Sequence, residues 1–518
     1  MEDLKLSKED FEFVQMDETI HDTKFETKPV GYMKDAWNRF KKNKASVFAA
    51  IIILLIVFYG VFYPFTTNRQ LSDIRVEYSL MRPKNEFLSN FGICNGQYTR
   101  TGTVSSYAQY YGIGTGYLYD KEENNFDQKF NFDQNNDIKF NHVKGIVKVY
   151  QADGLQYIDY TVDQYYELGY KYAQLSIEQY EDIIKWEKEN GMKILFPLID
   201  TSTITNSFQK ENANLWYKAD SKGYPLNENG KSIKEIDKLD YLIPNFLKDK
   251  EGNVLYYQRV GSAGDSYRVR MLCYTNYIYT YGEEPAFILG SDGLGYDIAI
   301  RLAYGIRLSL LLAVCVSIIN LVIGSIYGAI EGYYGGTIDI IMERISDILS
   351  NVPSMVVLTL FNIFLVQTNR VSPVVSFILA FIVTGWLGTA YRVRTQFYRF
   401  KGQEYVLAAR TLGAKDSRLM FKHIFPNSLG TIITSSVLVI PGVIFSETSL
   451  SYLGIIDLNG PNASSVGTML SNGQQYLSTY PHVILWPTII IALLMLSFNL
   501  FGNGLRDAFN PSLRGVDD

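Results

Sequence analysis

An α-helical integral membrane protein with six transmembrane helices and a large inserted mixed α/β domain is the fold class this sequence predicts. Three observations carry the reading. Ala45–Phe65 contains no charged residue, and an apolar run of about 20 residues is what a helix needs to span a bilayer. Further apolar windows recur at 303–330, 352–367, 372–391, 430–450 and 483–502. Between the first window and the rest lie 223 residues (67–289) of mixed polar and aromatic sequence. The chain of 518 residues carries 48 Lys+Arg against 53 Asp+Glu, a net charge of −5. Its charge lies mostly outside the windows, which excludes a simple soluble enzyme, a disordered chain and a nucleic-acid binder, the last for want of a basic domain. Three cysteines exclude a disulfide-dense scaffold and a Cys-rich zinc module.

Residues 1–44 are polar and end in Lys34, Arg39, Lys41, Lys42 and Lys44, with Asp35 opposing them. This basic cluster places 1–44 in the cytoplasm and makes 45–66 an uncleaved first transmembrane helix. Residues 67–289 then lie outside the cell. They hold 25 basic and 30 acidic residues and 25 of the chain's 39 tyrosines, enough for a separate core. Gly145–Tyr150 and Tyr157–Val162 read as strands flanking a turn at Ala152-Asp153-Gly154. Ser176-Ile177-Glu178-Gln179 has the form of a capping box opening a helix that Gly191 closes. Asn227-Glu228-Asn229-Gly230 and Lys250-Glu251-Gly252-Asn253 are turn signals. The tyrosines supply either core and strand packing or a peptide-contacting surface. Residues 290–502 form a five-helix core, with 331–351 and 392–429 inside, 368–371 and 451–482 outside, and 503–518 a cytoplasmic tail. In 392–429, eight basic residues outweigh Glu404 and Asp416, as an inside loop requires.

That loop is the strongest motif. It reads Glu404-Tyr405-Val406-Leu407-Ala408-Ala409-Arg410-Thr411-Leu412-Gly413, followed after a further stretch by His423-Ile424-Phe425-Pro426-Asn427. The pattern is a short helix with a small-residue face, a glycine for a sharp turn, an amphipathic piece and a terminating proline. It resembles the "EAA" coupling loop of bacterial ABC importer permeases, with Leu407 where that family commonly has glutamate. The resemblance implies that Glu404, Tyr405, Leu407, Ala408, Ala409, Gly413, His423 and Pro426 form the surface that docks on a cytosolic ATPase.

The resemblance extends along 30–66 and 288–515. Leu289-Gly290-Ser291-Asp292, Gly295-Tyr296-Asp297, Arg301 and Gly305–Ser309 are similar to the segment leading into the second helix of oligopeptide and dipeptide permeases, with Tyr296 in place of the usual arginine. Gly332–Gly336, Glu447–Gly454 and Gly504–Pro511 also match, the last pointing to the C-type member of a permease pair. The resemblance implies an importer in which a second homologous permease subunit shares the pathway, two cytosolic ATPase subunits bind ATP and Mg, and an extracellular lipid-anchored binding protein delivers peptide. This chain would be no enzyme and bind no cofactor or metal itself, and it lacks a Gly-x-x-x-x-Gly-Lys-Ser/Thr phosphate loop. Asp292, Asp297, Arg301, Arg307 and Glu447 are candidate pathway or family-signature residues, since acids near or within a membrane are functional candidates by default. Glu447 lies near a membrane boundary, where the outer interface could also solvate it.

Other readings remain open at this level. A membrane-anchored receptor would use the outer domain, a membrane-bound peptidase lacks a catalytic constellation, and a permease for nickel or another small solute shares the same features. Asp133-Gln134-Asn135-Asn136-Asp137 opens like a calcium loop, but Ile138 replaces the required glycine and Lys144 the bidentate glutamate. His21, His142, His423 and His482 show no metal-ligand spacing. Cys94 and Cys273 sit near the two ends of the inserted domain and could pair in an oxidising exterior or stay as unpaired thiols.

Overall fold

In the computed structural model the described residues are 32–114, 143–202, 204, 206–239, 242–261, 264–460 and 463–509. The calcium-like stretch 133–137 and the end of the C-terminal match, 510–511, lie outside them. The chain enters the membrane through a short amphipathic helix, α1 (Tyr32–Lys42), and a second one, α2 (Lys44–Phe62), that is apolar apart from its first turn and Tyr59. Asn43 breaks the two apart and caps α2, its Oδ1 accepting from the Ser46 N–H at 3.2 Å.

The inserted segment folds into two antiparallel sheets. β1 (Gln97–Thr103), followed by α3 (Val104–Gly114), shares the first with β2 (Val143–Ala152) and β3 (Leu155–Asp163), in the order β1-β3-β2. The β2–β3 hairpin pairs Ala152 with Leu155 across Asp153 and Gly154, both at positive φ (52° and 74°), as a tight two-residue connection demands. The second sheet combines β4 (Tyr170–Ser176), β5 (Leu195–Phe196), β6 (Tyr257–Val260) and β7 (Ser266–Leu272). Helix α4 (Ile177–Asn190) opens on the reciprocal Ser176–Gln179 capping box and closes on Gly191 at φ 64°. It lays Ile183 against Val269 and Met271 of β7, and α5 (Cys273–Tyr281) follows β7 directly. Both turn signals are tight hairpins, and a third, Asp220–Tyr224, repeats their geometry. In each, the side-chain oxygen of Asp220, Asn227 or Asp249 accepts the N–H groups two and four residues on.

Part of the tyrosine enrichment is core packing. Tyr78, Tyr107, Tyr160, Tyr165, Tyr217, Tyr274 and Tyr277 are buried. The ends of the segment meet: Tyr78 donates to the Cys273 carbonyl at 2.9 Å, and Leu80 N–H to Asp292 O at 2.9 Å. Cys94, Cys273 and Cys315 are all free thiols, one of the two arrangements the sequence left open. Cys94 occupies a turn at φ 52° whose carbonyl is taken by Asn85 N–H. Cys273 is buried at the start of α5, and burial pushes its thiol up to about 12.

The helices that follow run beyond the apolar windows. α6 (Ile298–Tyr334) has 37 residues, about 55 Å at 1.5 Å per residue. Five helical stretches are long and apolar enough to cross a membrane: Lys44–Phe65, Ile298–Tyr334, Pro373–Phe400, Asp416–Tyr452 and His482–Phe509. The sixth window corrects the simple expectation. α7 (Gly336–Ser350) is a helix where a connection was expected, and it meets α8 (Ser354–Phe361), prolonged by a π-turn to Val366, at a 71° bend. The Ser354–Val366 arm alone is too short to span about 30 Å, so the sixth crossing exists only if this bent pair is one span. Next come α9 (Pro373–Thr384), α10 (Leu387–Phe400), α11 (Glu404–Thr411), α12 (Phe425–Val437), α13 (Val439–Tyr452), α14 (Val466–Gly473) and α15 (His482–Phe509). α6 packs on α10 through Gly324, Gly328 and Gly332. A Cβ on these glycines would stand 2.7, 2.2 and 2.7 Å from Thr389 Cβ, Ala390 O and Arg394 O. This is the small-residue contact by which helices approach closely where no hydrophobic effect drives them together.

Candidate functional site

The 404–427 loop is a surface laid on a buried anchor. α11 ends at Thr411, Leu412 caps it, and Gly413 turns the chain at φ 81°. From it and the following turns, Val406, Leu419, Met420 and Ile424 point inward onto Ala329 and Tyr333 of α6, Val393 and Phe397 of α10 and Ile432 of α12. Tyr333 donates to Asp416 at 2.6 Å, pinning the second half of the loop to the end of α6. The opposite face is left open: Glu404, Tyr405, Leu407, Ala408, Gly413 and Pro426 are exposed, with Ala409 and His423 half-buried. Leu412 is 88% exposed, which is unusual for a leucine whose neighbours have a core to join. Asn427 donates to the Tyr405 hydroxyl at 3.1 Å, and partial burial raises that phenol above its ordinary value. The motif residues thus share one face, and a side chain the motif reading passed over, Leu412, is its most protruding apolar member.

Beneath the loop lies a charge cluster that sequence spacing did not signal. Arg394 of α10 binds Asp339 at 2.7 and 3.0 Å and Glu343 at 3.0 and 3.2 Å, and approaches Glu331 at 3.4 Å. Two forked contacts with carboxylates are the geometry that a planar guanidinium favours. They tie α10 to both sides of the α6–α7 corner. Lys401 donates to the Gly332 carbonyl at 3.0 Å, and desolvation lowers its pKa below the ordinary lysine value. Three of the four acids of 331–351, Glu331, Asp339 and Glu343, are thus partners of one arginine, and the fourth, Asp347, pairs with Arg344 at 3.0 Å.

The remaining candidates fall into three separate places. Asp292 pairs with Arg301, which also reaches Ser464 Oγ at 3.4 Å and lies 4.8 Å over the Tyr296 ring. Tyr296 therefore offers a π face to a cation. Asp297 caps α6 by accepting from Ala299 N–H at 2.8 Å and binds Arg69 at 2.7 Å. Desolvation raises its carboxyl above the ordinary range against the opposing pull of Arg69. Arg307 donates to the Gly60 and Val61 carbonyls, completing the C-terminal end of α2. All three arginines act at the end of α6 nearest the inserted segment, and Arg69 comes from that segment.

Of the two settings the sequence left open for Glu447, the structure shows the buried one, at 1% exposed. Ser309 of α6 and Ser465 before α14 each donate to it at 2.8 Å, and Thr448 and Ser451 stand at 3.4 Å. A buried carboxyl needs such partners. They come from three elements, and the nearest signal in sequence, Glu447-Thr448-Ser449-Leu450-Ser451, carries two of the four. Among the described residues no group of three or more His, Cys, Asp or Glu is arranged to hold a metal ion.

Residues 320–515 match the family model described as binding-protein-dependent transport system inner membrane component, and residues 31–83 match the N-terminal TM domain of oligopeptide transport permease C. The oligopeptide transport system permease protein OppC of Bacillus subtilis (strain 168) is 44% identical over 225 residues, covering 43% of this chain and 72% of that protein. The dipeptide transport system permease protein DppC of Lactococcus lactis subsp. cremoris (strain MG1363) is 37% identical over 231 residues, covering 44% of this chain and 65% of that protein. A solved structure of the MetNI methionine ABC transporter in an inward-facing conformation aligns with a TM-score of 0.31 and 16% identity over 40% of this chain and 94% of that chain. Both family models and the identities with OppC and DppC agree with the motifs of the loop and the helix ends, and the chain belongs to the binding-protein-dependent transport inner-membrane components, in their OppC/DppC permease branch.

Proposed function

We propose that the chain is the C-type permease subunit of an ATP-driven importer that takes up oligopeptides or dipeptides. The observation that carries the mechanism is the two-sided 404–427 loop, with an apolar face exposed and the other locked to α6, α10 and α12. An ATPase seated on Tyr405, Leu407 and Leu412 pushes on a unit whose inner side is continuous with the membrane helices. ATP-driven movement is thereby passed to α6 and α10 as a rigid displacement. ATP and Mg belong to two cytosolic ATPase subunits, and a second homologous permease completes the pathway. Residues 67–289 face outside, where an extracellular lipid-anchored binding protein delivers peptide and where this domain receives it. Peptide is chosen over nickel because the relatives carry oligopeptide and dipeptide names. A receptor reading leaves the exposed loop face without a role.

The test is Leu412→Asp in the assembled transporter. At 88% exposure the substitution removes almost no internal packing. Loss of a leucine from a docked interface costs about 1.5–3 kcal/mol before the buried charge is counted, or roughly a 10- to 150-fold loss of affinity. The ATPase should no longer co-purify and peptide uptake should fall, with the permease's melting temperature unchanged. Normal ATPase retention and uptake would refute the docking role.

A further inference from the structure

A short finger projects from the base of the inserted domain. Lys84 and Asn95 pair across its neck, Asn85 N–H donates to Cys94 O at 2.8 Å, and Gly96 N–H donates to Pro83 O at 3.1 Å. Its tip exposes Phe87 (71%), Phe91 (69%) and Ile93 (59%), and the two phenylalanine rings meet edge to face at 5.7 Å. No charged residue occurs from Phe87 to Thr99. Among the described residues of the inserted segment, Phe87 and Phe91 are the two most exposed aromatic side chains, and a bare, uncharged aromatic tip needs an apolar medium.

The finger's position supplies that medium. Lys84 N–H donates to Phe287 O at 2.9 Å, and Ile298 N–H, at the start of α6, donates to Gly290 O at 3.1 Å. The neck is thus tied to the short segment that leads directly into a membrane-spanning helix. The neighbouring helix α2 fixes the level, because Tyr59 donates to the Ala299 carbonyl at 2.7 Å. Phe65, just beyond α2, is 79% exposed at that same end. We propose that the finger tip 87–93 is a membrane anchor that inserts Phe87, Phe91 and Ile93 into the lipid leaflet on the inserted domain's side, holding this domain against the bilayer beside α2 and α6. Aromatic and aliphatic side chains without charge are the residues that settle at the boundary between headgroups and acyl chains. Residues 84–96 lie outside both matched family segments, so the anchor belongs to the insertion.

The experiment places nitroxide labels at F87C and F91C, with Asn229 as a control on an exposed turn, in a chain also carrying Cys94→Ser and Cys315→Ala. The complete transporter is reconstituted in phosphatidylcholine–phosphatidylglycerol bilayers, and collision with oxygen is compared with collision with a soluble nickel chelate. Labels at 87 and 91 should favour oxygen, and the label at 229 the chelate. Chelate access at 87 and 91 equal to that at 229 would overturn the proposal in favour of a solvated finger. Low access to both reagents would overturn it in favour of a protein partner such as the second permease. The unlabelled native chain gives an independent reading: a diazirine-bearing phospholipid should cross-link to the peptide containing Phe87–Thr99, and absence of adducts there also overturns the anchor.

Discussion

Gly328→Ala tests whether α6 and α10 act as one body. The added Cβ would lie 2.2 Å from Ala390 O, 2.9 Å from Ala390 C and 3.0 Å from Ala390 Cα. All three are backbone atoms, so no side chain can rotate aside. Ordinary carbon–oxygen contacts run at about 3.3–3.6 Å, so the helices must part by roughly 1 Å. Overpacking of this kind costs about 1–3 kcal/mol, which corresponds to an apparent melting temperature lower by roughly 2–10 °C. The displacement reaches the loop, because Tyr333 and Phe397, which anchor Val406 and Ile424, sit farther along the same two helices. Thermal unfolding of the purified complex should therefore shift downward, and ATP-driven uptake should fall more than ATPase association. Gly388→Ala is the internal control: Gly388 is exposed and has nothing within 4 Å of an added Cβ, and its substitution should not lower the melting temperature. An unchanged melting temperature for Gly328→Ala would refute the close packing of the two helices.

Arg394→Met leaves Asp339, Glu343 and Glu331 facing one another without their cation, and a loss of about 3–5 kcal/mol is expected; normal stability in a denaturation series would show that the cluster is not cohesive. Glu187→Ala strips the acceptor from the buried N–H groups of Ile194 and Leu195, now bonded at 2.6 and 2.7 Å. At about 1–3 kcal/mol for each orphaned donor, proteolysis of the inserted domain should accelerate while the membrane helices stay intact. Iodoacetamide on the folded protein at pH 8 should modify half-exposed Cys94 and spare buried Cys273, whose raised pKa keeps it as the unreactive thiol. Recovery of a Cys94–Cys273 disulfide peptide from a non-reduced digest would contradict the free-thiol arrangement.

Local chemistry was legible in the sequence. Charge-poor windows mark the spans because unpaired charge is costly in hydrocarbon. Ser176, Gln179 and Gly191 bound one helix, and Asp153-Gly154 closes one hairpin, because capping and positive φ depend on a few adjacent residues. Within α11, helical period alone sorts inward Val406 from exposed Leu407 and Ala408. What only the tertiary structure decided are contacts between distant segments. Ser309 and Ser465 reach Glu447 across 138 and 18 residues. Arg394 gathers acids more than 50 residues away, and Arg69 of the insertion closes on Asp297. The glycines of α6 look like weak points in a helix until α10 is laid against them. The 71° bend after Ser350 likewise makes the window at 352–367 one arm of a bent pair rather than a straight helix. Hydropathy measures how a stretch partitions on average, whereas the direction a helix takes and the partner a buried charge finds depend on which surfaces meet, and neither is written in any one segment.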